Sequence, residues 1–464
     1  MKKFLLITFI ACISSAIQAQ SYIGFLTDNY KGVHGVINNP ASIADSPYAV
    51  DINLAGASVL VDNNYYGFPF FDIFDTDFDF EEDATIFSEE NNSVLANVDV
   101  LGPSFMFNLN EKSSLAVFTR ARTFLNVSGI NVNQIEELSD NIDANTPFNF
   151  VEDGSYATIN GWAEIGATYA REIINKDEHY IKGGITLKYL MGFANAYSSA
   201  ENLDINYDGA ESVVADGNFN YGYSEALEND LDFFEDFDVN DIKVDGTGIG
   251  ADLGFIYEWR PEYDKYASTD PNKYKIKAGL SITDIGYINY DGIEENYNLN
   301  GIDVSADQFE SIEDIEDFRA AYQDVLSEVS GENVILPTAL HANVDYNINQ
   351  LFFVNLNGDI ALSGKENINR NSIANMVSLT PRFESKWFTF QMPLSVQQYS
   401  GFLWGAGLRA GPLYVGSGSI VSSLFNDELK SADIYAGLKV PIYKSKPKDK
   451  DGDGIIYQED HCPN

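Results

Sequence analysis

Cysteine is almost missing from this chain. Two occur in 464 residues, and Cys12 falls in the leader, so disulfides cannot frame the fold. Histidine is as scarce: His34, His179, His341 and His461 lie far apart, and no Cys/His metal spacing forms. No Gly-rich phosphate loop and no Ser/His/Asp arrangement stands out, so no enzyme is expected. His341 reads as an ordinary polar residue of an interior or rim. Basic side chains are few, 28 against 70 acidic, giving a net charge of -42. Such a chain repels phosphate backbones, which excludes nucleic acid as a partner. Mean hydropathy is -0.18, which hides no bundle of apolar helices.

What is present is alternation. From Trp387 to Gln397, Phe388, Phe390, Met392, Leu394 and Val396 share one face, and Thr389, Gln391, Ser395 and Gln397 share the other. Successive strand side chains point to opposite faces, so the segment has one oily and one wet side. Leu351 to Leu362 and Leu340 to Ile348 repeat the pattern. Runs on the order of ten residues are long enough to cross an outer membrane at a tilt. Phe and Tyr number 31 and 27, supplying rings for interfacial girdles.

The leader comes first. Lys2 and Lys3, the apolar stretch Phe4 to Ile17, and Ile17-Gln18-Ala19 predict a secretory signal peptide over residues 1–19. A rival reading makes Cys12 a lipidated residue, but Phe9-Ile10-Ala11-Cys12 lacks the Leu of a lipobox. Residues 20–47 form a lead-in without strong period. Its Asn39-Pro40 reads either as a capped turn before the first strand or as part of a plug in the barrel mouth or lumen.

Residues 48–443 predict an all-β antiparallel transmembrane barrel of about 14 strands. The strands fall near 48–61, 94–109, 113–127, 156–172, 180–197, 246–260, 274–290, 336–347, 351–362, 376–384, 387–397, 402–410, 413–421 and 431–443. Mostly short connections alternate with a set that includes long loops at 62–93, 128–155, 198–245 and 291–335, the pattern of periplasmic turns and extracellular loops. A soluble sandwich would not sort its connections this way. An even strand count puts both termini on the periplasmic side.

The wet faces read as a lumen. They carry Arg120, Arg122, Lys182, Lys188, Lys275, Lys277, Arg382, Arg409 and Lys439, joined by Asp252, Glu258, Asp345, Asp359, Glu384 and Asp433. Two readings stand: ion pairs that fill and stiffen a closed barrel, or a basic path for anionic solutes. The long loops are acidic and aromatic. Phe309, Ile312, Ile315, Phe318, Tyr322, Val325 and Val329 recur at helical spacing, with a weaker echo at Leu227, Leu231 and Phe234. The stripe needs cover, either from neighbouring loops or from a protein partner.

A linker and tail fill 444–464. Asp449, Asp451, Asp453, Gly454, Ile455 and Asp460 stand at calcium-loop spacing, with Ile455 offering its carbonyl. Ca2+ is the one cofactor expected. The tail resembles the thrombospondin type 3-like repeats that link outer-membrane barrels to OmpA-like peptidoglycan-binding domains. The resemblance implies Asp449, Asp451, Asp453 and Asp460 as ligands, while Tyr457 stands where the repeat usually has Asp. The next repeat, with a Cys for Cys462, and any peptidoglycan-binding domain do not follow, so a truncated product is expected.

Lys31-Gly32-Val33-His34-Gly35-Val36, then Asn38-Asn39-Pro40-Ala41-Ser42-Ile43-Ala44-Asp45 and Asp51-Ile52-Asn53-Leu54, resemble a family of uncharacterised Bacteroidota outer-membrane proteins. Asn39-Pro40-Ala41 is loosely similar to the long-chain fatty-acid transporter superfamily and to barrels associated with type IX secretion. Those similarities imply a plug and an apolar ligand. The leading expectation is therefore a structural or envelope-anchoring barrel in a Gram-negative outer membrane, in contact with its lipid, with protein partners at the loops. Peptidoglycan would enter only through the missing domain. The alternative is a gated channel for hydrophobic or small anionic solutes.

Overall fold

The computed structural model describes residues 21–72, 83–88, 91–134, 146–152, 154–210, 212–227, 243–261, 273–305, 315–363 and 369–444. They form a closed antiparallel barrel of 14 strands. In chain order these are β1 (Tyr48–Asn63), β2 (Asn92–Leu101, continued as Ser104–Asn108), β3 (Ser113–Ile130), β4 (Ser155–Lys176), β5 (His179–Tyr207), β6 (Gly246–Trp259) and β7 (Ile276–Asn298). The wall continues with β8 (Ala339–Asn347), β9 (Phe352–Ala361), β10 (Met376–Glu384), β11 (Phe388–Gln391 with Leu394–Gln397), β12 (Gly401–Trp404 with Ala406–Ala410), β13 (Leu413–Ser417) and β14 (Ser431–Tyr443). Each pairs with its sequence neighbours, and β14 closes on β1, with Ala57 opposite Ala436. Closure leaves no strand edge in the lipid, where an unpaired backbone group would cost several kcal/mol.

The period of two decides which side chain meets which solvent. On β5, Leu187 and Tyr189 are 64% and 51% exposed, while Lys188 between them is 4% exposed. Leu356 and Ile360 face out from β9, and Asn355 and Asp359 face in. Interruptions in the wall coincide with Pro103, Pro393 and Gly405, where the ladder breaks for a residue or two. Gly405 N still donates to Pro393 O at 2.8 Å, so the wall stays joined there.

Tyr48 and Tyr443 lie at the end that carries the short connections 109–112, 177–178, 348–351, 385–387 and 411–412. At the opposite end several strands outgrow the barrel. β5 and β7 run on to Tyr207 and Asn298, and Ser212–Ser224 lies between them where β6 has ended. Phe148–Glu152 adds to β5, and Leu326–Ile335 adds to β7. Much of the expected loop 198–245, and of 291–335, is thus strand. Among the described residues the expected helix covers Ile315–Ala321. Val325 falls in a following 3-10 turn and Val329 in a strand, a correction to the helical spacing read through to Val329. Phe309, Ile312, Leu231 and Phe234 lie outside the described residues. Phe318 is covered by its neighbours: its ring is 4.9 Å from Tyr297 and 5.6 Å from Phe219.

Candidate functional site

The residues before β1 do not leave the barrel. Three 3-10 turns, Phe25–Thr27, Gly32–Ile37 and Pro40–Ile43, fold residues 21–47 into the lumen as a plug. Asn39 caps the last turn, its Oδ1 accepting from Ala41 N at 3.0 Å, with Pro40 at the first helical position. Gly24 and Gly32 hold positive φ of 85° and 64°, which a chain doubling back in so narrow a space requires.

Aromatic and ionic contacts fix the plug. Phe25 stacks on Tyr414 with ring centroids 4.2 Å apart, and Tyr414 Oη lies 2.6 Å from His34 Nε2. Arg409 Nε donates to Asp28 at 2.7 Å, with both groups buried. Asp45 accepts from Arg260 and Lys273, each at 2.9 Å. Lys182 Nζ donates to Ala44 O at 2.7 Å, and Lys439 donates to Tyr30 O. Asn29 Nδ2 donates to Glu384 at 2.9 Å. Where the plug presses hardest, the wall is glycine: a Cβ on Gly184 would stand 2.5 Å from Pro40 C, and one on Gly254 2.2 Å from Asn39 Oδ1.

The inward cations are joined to carboxylates. Arg120 pairs with Asp99 and Glu164. Arg122 reaches Asp284 at 2.8 Å, and Lys188 reaches Asp284 and Asp252 at 2.6 and 2.8 Å. Asp284 holds φ 57°, a kink in β7 that turns its carboxylate inward between those cations. Arg382 is bidentate to Asp345 and also donates to Glu384 at 2.8 Å. Lys182 lies 3.5 Å from Glu258, Lys277 3.4 Å from Asp345, and Lys439 3.5 Å from Asp51. Lys275 is a correction. It donates to Ile348 O at the rim and lies over the outward Tyr346 ring, because it precedes the first residue of β7 and the alternation does not reach it.

His341, which the sequence left without a partner, has two. Its Nδ1 is 2.6 Å from Asp359 Oδ1 and its Nε2 2.9 Å from Thr283 Oγ1. Thr283 is 2% exposed, and all three residues border the interior cavity described below. Asp28, Lys31, Asp45, Arg260 and Lys273 were assigned no role from sequence. Their partners lie hundreds of residues away or follow irregular backbone, which no periodicity marks.

The plug does not fill the barrel. A cavity of about 100 Å³ remains between it and the wall of β3 and β7–β10. Asn97, Arg120, Arg122, Lys277, His341, Asn343, Asn355, Asn357 and Asp359 line it opposite Leu26, Lys31 and Asn38 of the plug. Lys277 and Thr283 of one strand both border it, so it runs along the wall for roughly 20 Å. Asp449, Asp451, Asp453, Ile455 and Asp460 lie outside the described residues.

Residues 40–418 match the profile of a family of unknown function, DUF5723. The chain belongs to that family. No curated protein matches it. Among solved structures, the toluene transporter TbuX of Ralstonia pickettii aligns at 9% identity and TM-score 0.41, over 89% of this chain and 95% of that one. A Pseudomonas aeruginosa FadL homologue aligns at 8% identity and TM-score 0.40, over 92% and 98%. The TodX deltaS2S3 mutant monoaromatic hydrocarbon channel aligns at 10% identity and TM-score 0.42, over 92% and 97%. These are likenesses of outer-membrane barrel fold.

Proposed function

We propose that this family member is a plugged outer-membrane channel in which residues 21–47 gate a narrow path. The observation that carries the reading is the cavity left beside the plug. A barrel filled only for stiffness has no need of a cavity between its plug and its wall, lined by amides and charges together with apolar side chains. The lining mixes amides and charges with Ile23, Leu26, Ile37, Phe124, Ile373 and Met376, so the path selects a small solute first by size. Most inward cations are neutralised by adjacent carboxylates, so the path as a whole is no basic funnel. The short-turn end, with Tyr48 and Tyr443, is the periplasmic end in this reading, following the usual arrangement of bacterial barrels.

Planar-bilayer conductance of the mature protein, with and without residues 20–47, tests it. Small or intermittent current should become large and steady when the plug is removed. Silence from both proteins, each shown folded by heat-shifted gel mobility, would overturn the channel. The tail carries a separate element of the proposal, resting on its spacing alone. Calorimetry of the full chain should show calcium heat that Asp449→Ala with Asp453→Ala abolishes.

A further inference from the structure

Lys31 differs from the other lumen cations. Its Nζ donates to Leu26 O within the plug, and no carboxylate among the described residues lies within ion-pair distance. Its stem crosses Gly35, where an added Cβ would stand 3.1 Å from Lys31 Cε. Its charged neighbours are Lys277 and Arg382 as well as Asp345 and Asp28. Asp28 is occupied by Arg409. Asp345 already serves Arg382 and Lys277, and Glu384 serves Arg382 and Asn29. Lys31, Lys277 and Arg382 therefore share two carboxylates, which leaves one positive charge unmatched. An unmatched charge held away from bulk water is costly, and it is relieved either by loss of the proton or by an ion of opposite sign.

The cavity gives that ion a place. Lys31 and Lys277 border it, and so does Arg122, which is 5% exposed and whose Nε has no hydrogen-bond partner. Asn97 of β2, and Asn343 and Asn357 of β8 and β9, add amide groups to the same cavity. An apolar cavity of ~150 Å³ accepts benzene, so about 100 Å³ here admits a smaller guest. We propose that the path beside the plug holds a binding station for one small monovalent anion, a halide or short carboxylate. Lys31 is its principal cation, with Lys277 beside it. The station rests on the channel reading for its purpose but not for its existence. It makes anions the preferred solutes and ties solute binding to a residue of the plug itself.

The test needs no membrane. Sodium [13C]formate is titrated into the folded full chain in detergent, and bound formate is read by NMR line broadening. Ionic strength is held with sodium gluconate, which is too large for the cavity. Saturable binding is expected, with competition by sodium chloride. Lys31→Met should weaken it by about tenfold or more, the scale of one charge-assisted contact, while Lys31→Arg retains it. Formate should also raise the unfolding temperature of the wild type and not of Lys31→Met. Absence of saturable binding to the wild type overturns the station, whatever the conductance. Equal binding by wild type and Lys31→Met, both heat-shifted on gels, overturns it as well. Binding by a protein that never conducts keeps the station and sinks the channel.

Discussion

Two walls of the same lumen behave differently. On the side of β5, β6 and β1, inward positions include glycines among the paired charges: Gly184 and Gly254 leave room for Pro40 and Asn39, and Gly56 for Tyr414 and His34. On the side of β8 and β9, inward positions include asparagines beside His341, Asp345 and Asp359: Asn343, Asn355 and Asn357 border open space. Both walls are antiparallel sheet with the same apolar exterior. The difference lies in what stands inside a strand whose outside is fixed by lipid. Glycine lets backbone pack on backbone and removes the space for water. Asparagine keeps its distance and offers donors and acceptors to whatever occupies the gap. One wall is a seat for the plug, and the other is the side of a path.

The largest test of that contrast is Asp28→Ala. It strands the Arg409 guanidinium, 1% exposed at its side chain, and should loosen the plug by about 3–5 kcal/mol. Hydrogen exchange at amides 25–37 should accelerate while the barrel amides stay protected. Unchanged exchange would mean that aromatic stacking alone seats the plug.

Next comes Gly184→Val. Its Cβ meets plug backbone and not the end of a flexible side chain, so overpacking of about 1–3 kcal/mol is expected. Protease sensitivity within 21–47 and bilayer current should both rise. Asn355→Leu, on the other wall, should leave the plug protected and reduce current. If both variants act alike, the two walls are not distinct.

Asp45→Asn should do less. Asp45 retains 17% side-chain exposure beside Arg260 and Lys273, so about 1 kcal/mol is at stake. It should raise exchange near Ala44 only, and slower exchange there would reverse its assigned role.

The smallest effect lies outside the membrane. In the module above the barrel, hydrogen bonds from Arg319, Tyr221 and Tyr297, with the Arg319 charge, hold Glu295 below the usual carboxylate range against the opposing effect of burial. A depressed carboxylate stabilises above its unfolded value and loses that contribution as pH falls through its folded one. Exchange protection around Phe318 and Tyr297 should therefore fade below about pH 4, and Glu295→Gln should flatten that dependence. A profile that survives the substitution would place the titration elsewhere.

The barrel was legible because lipid and lumen impose a period of two on every spanning strand, as in Phe388, Phe390 and Met392. Its loops were less so. Above the membrane the constraint lapses in Leu326–Ile335, whereas Ser212–Ser224 still alternates, with Phe219, Tyr221 and Tyr223 against Asn218, Asn220 and Gly222, inside a stretch too polar overall to stand out as wall. The helical stripe was visible from Ile315 to Tyr322, but Val329 kept its spacing by chance in a strand. Lys275 shows the same limit at a strand end, where parity holds in the numbering and fails in space.

The sequence by itself determined the antiparallel wall, the polarity of its two faces and the sorting of short turns from long connections. All three follow from local alternation and from the solvent each face must meet. Only the tertiary structure decided that residues 21–47 lie inside, that Asp28 joins Arg409, and that Lys31 is left without a carboxylate. Those facts depend on charges brought together across 381 positions of chain by closure of the ring. A period of two places a charge on a face; it does not say which opposite charge the closed barrel sets before it.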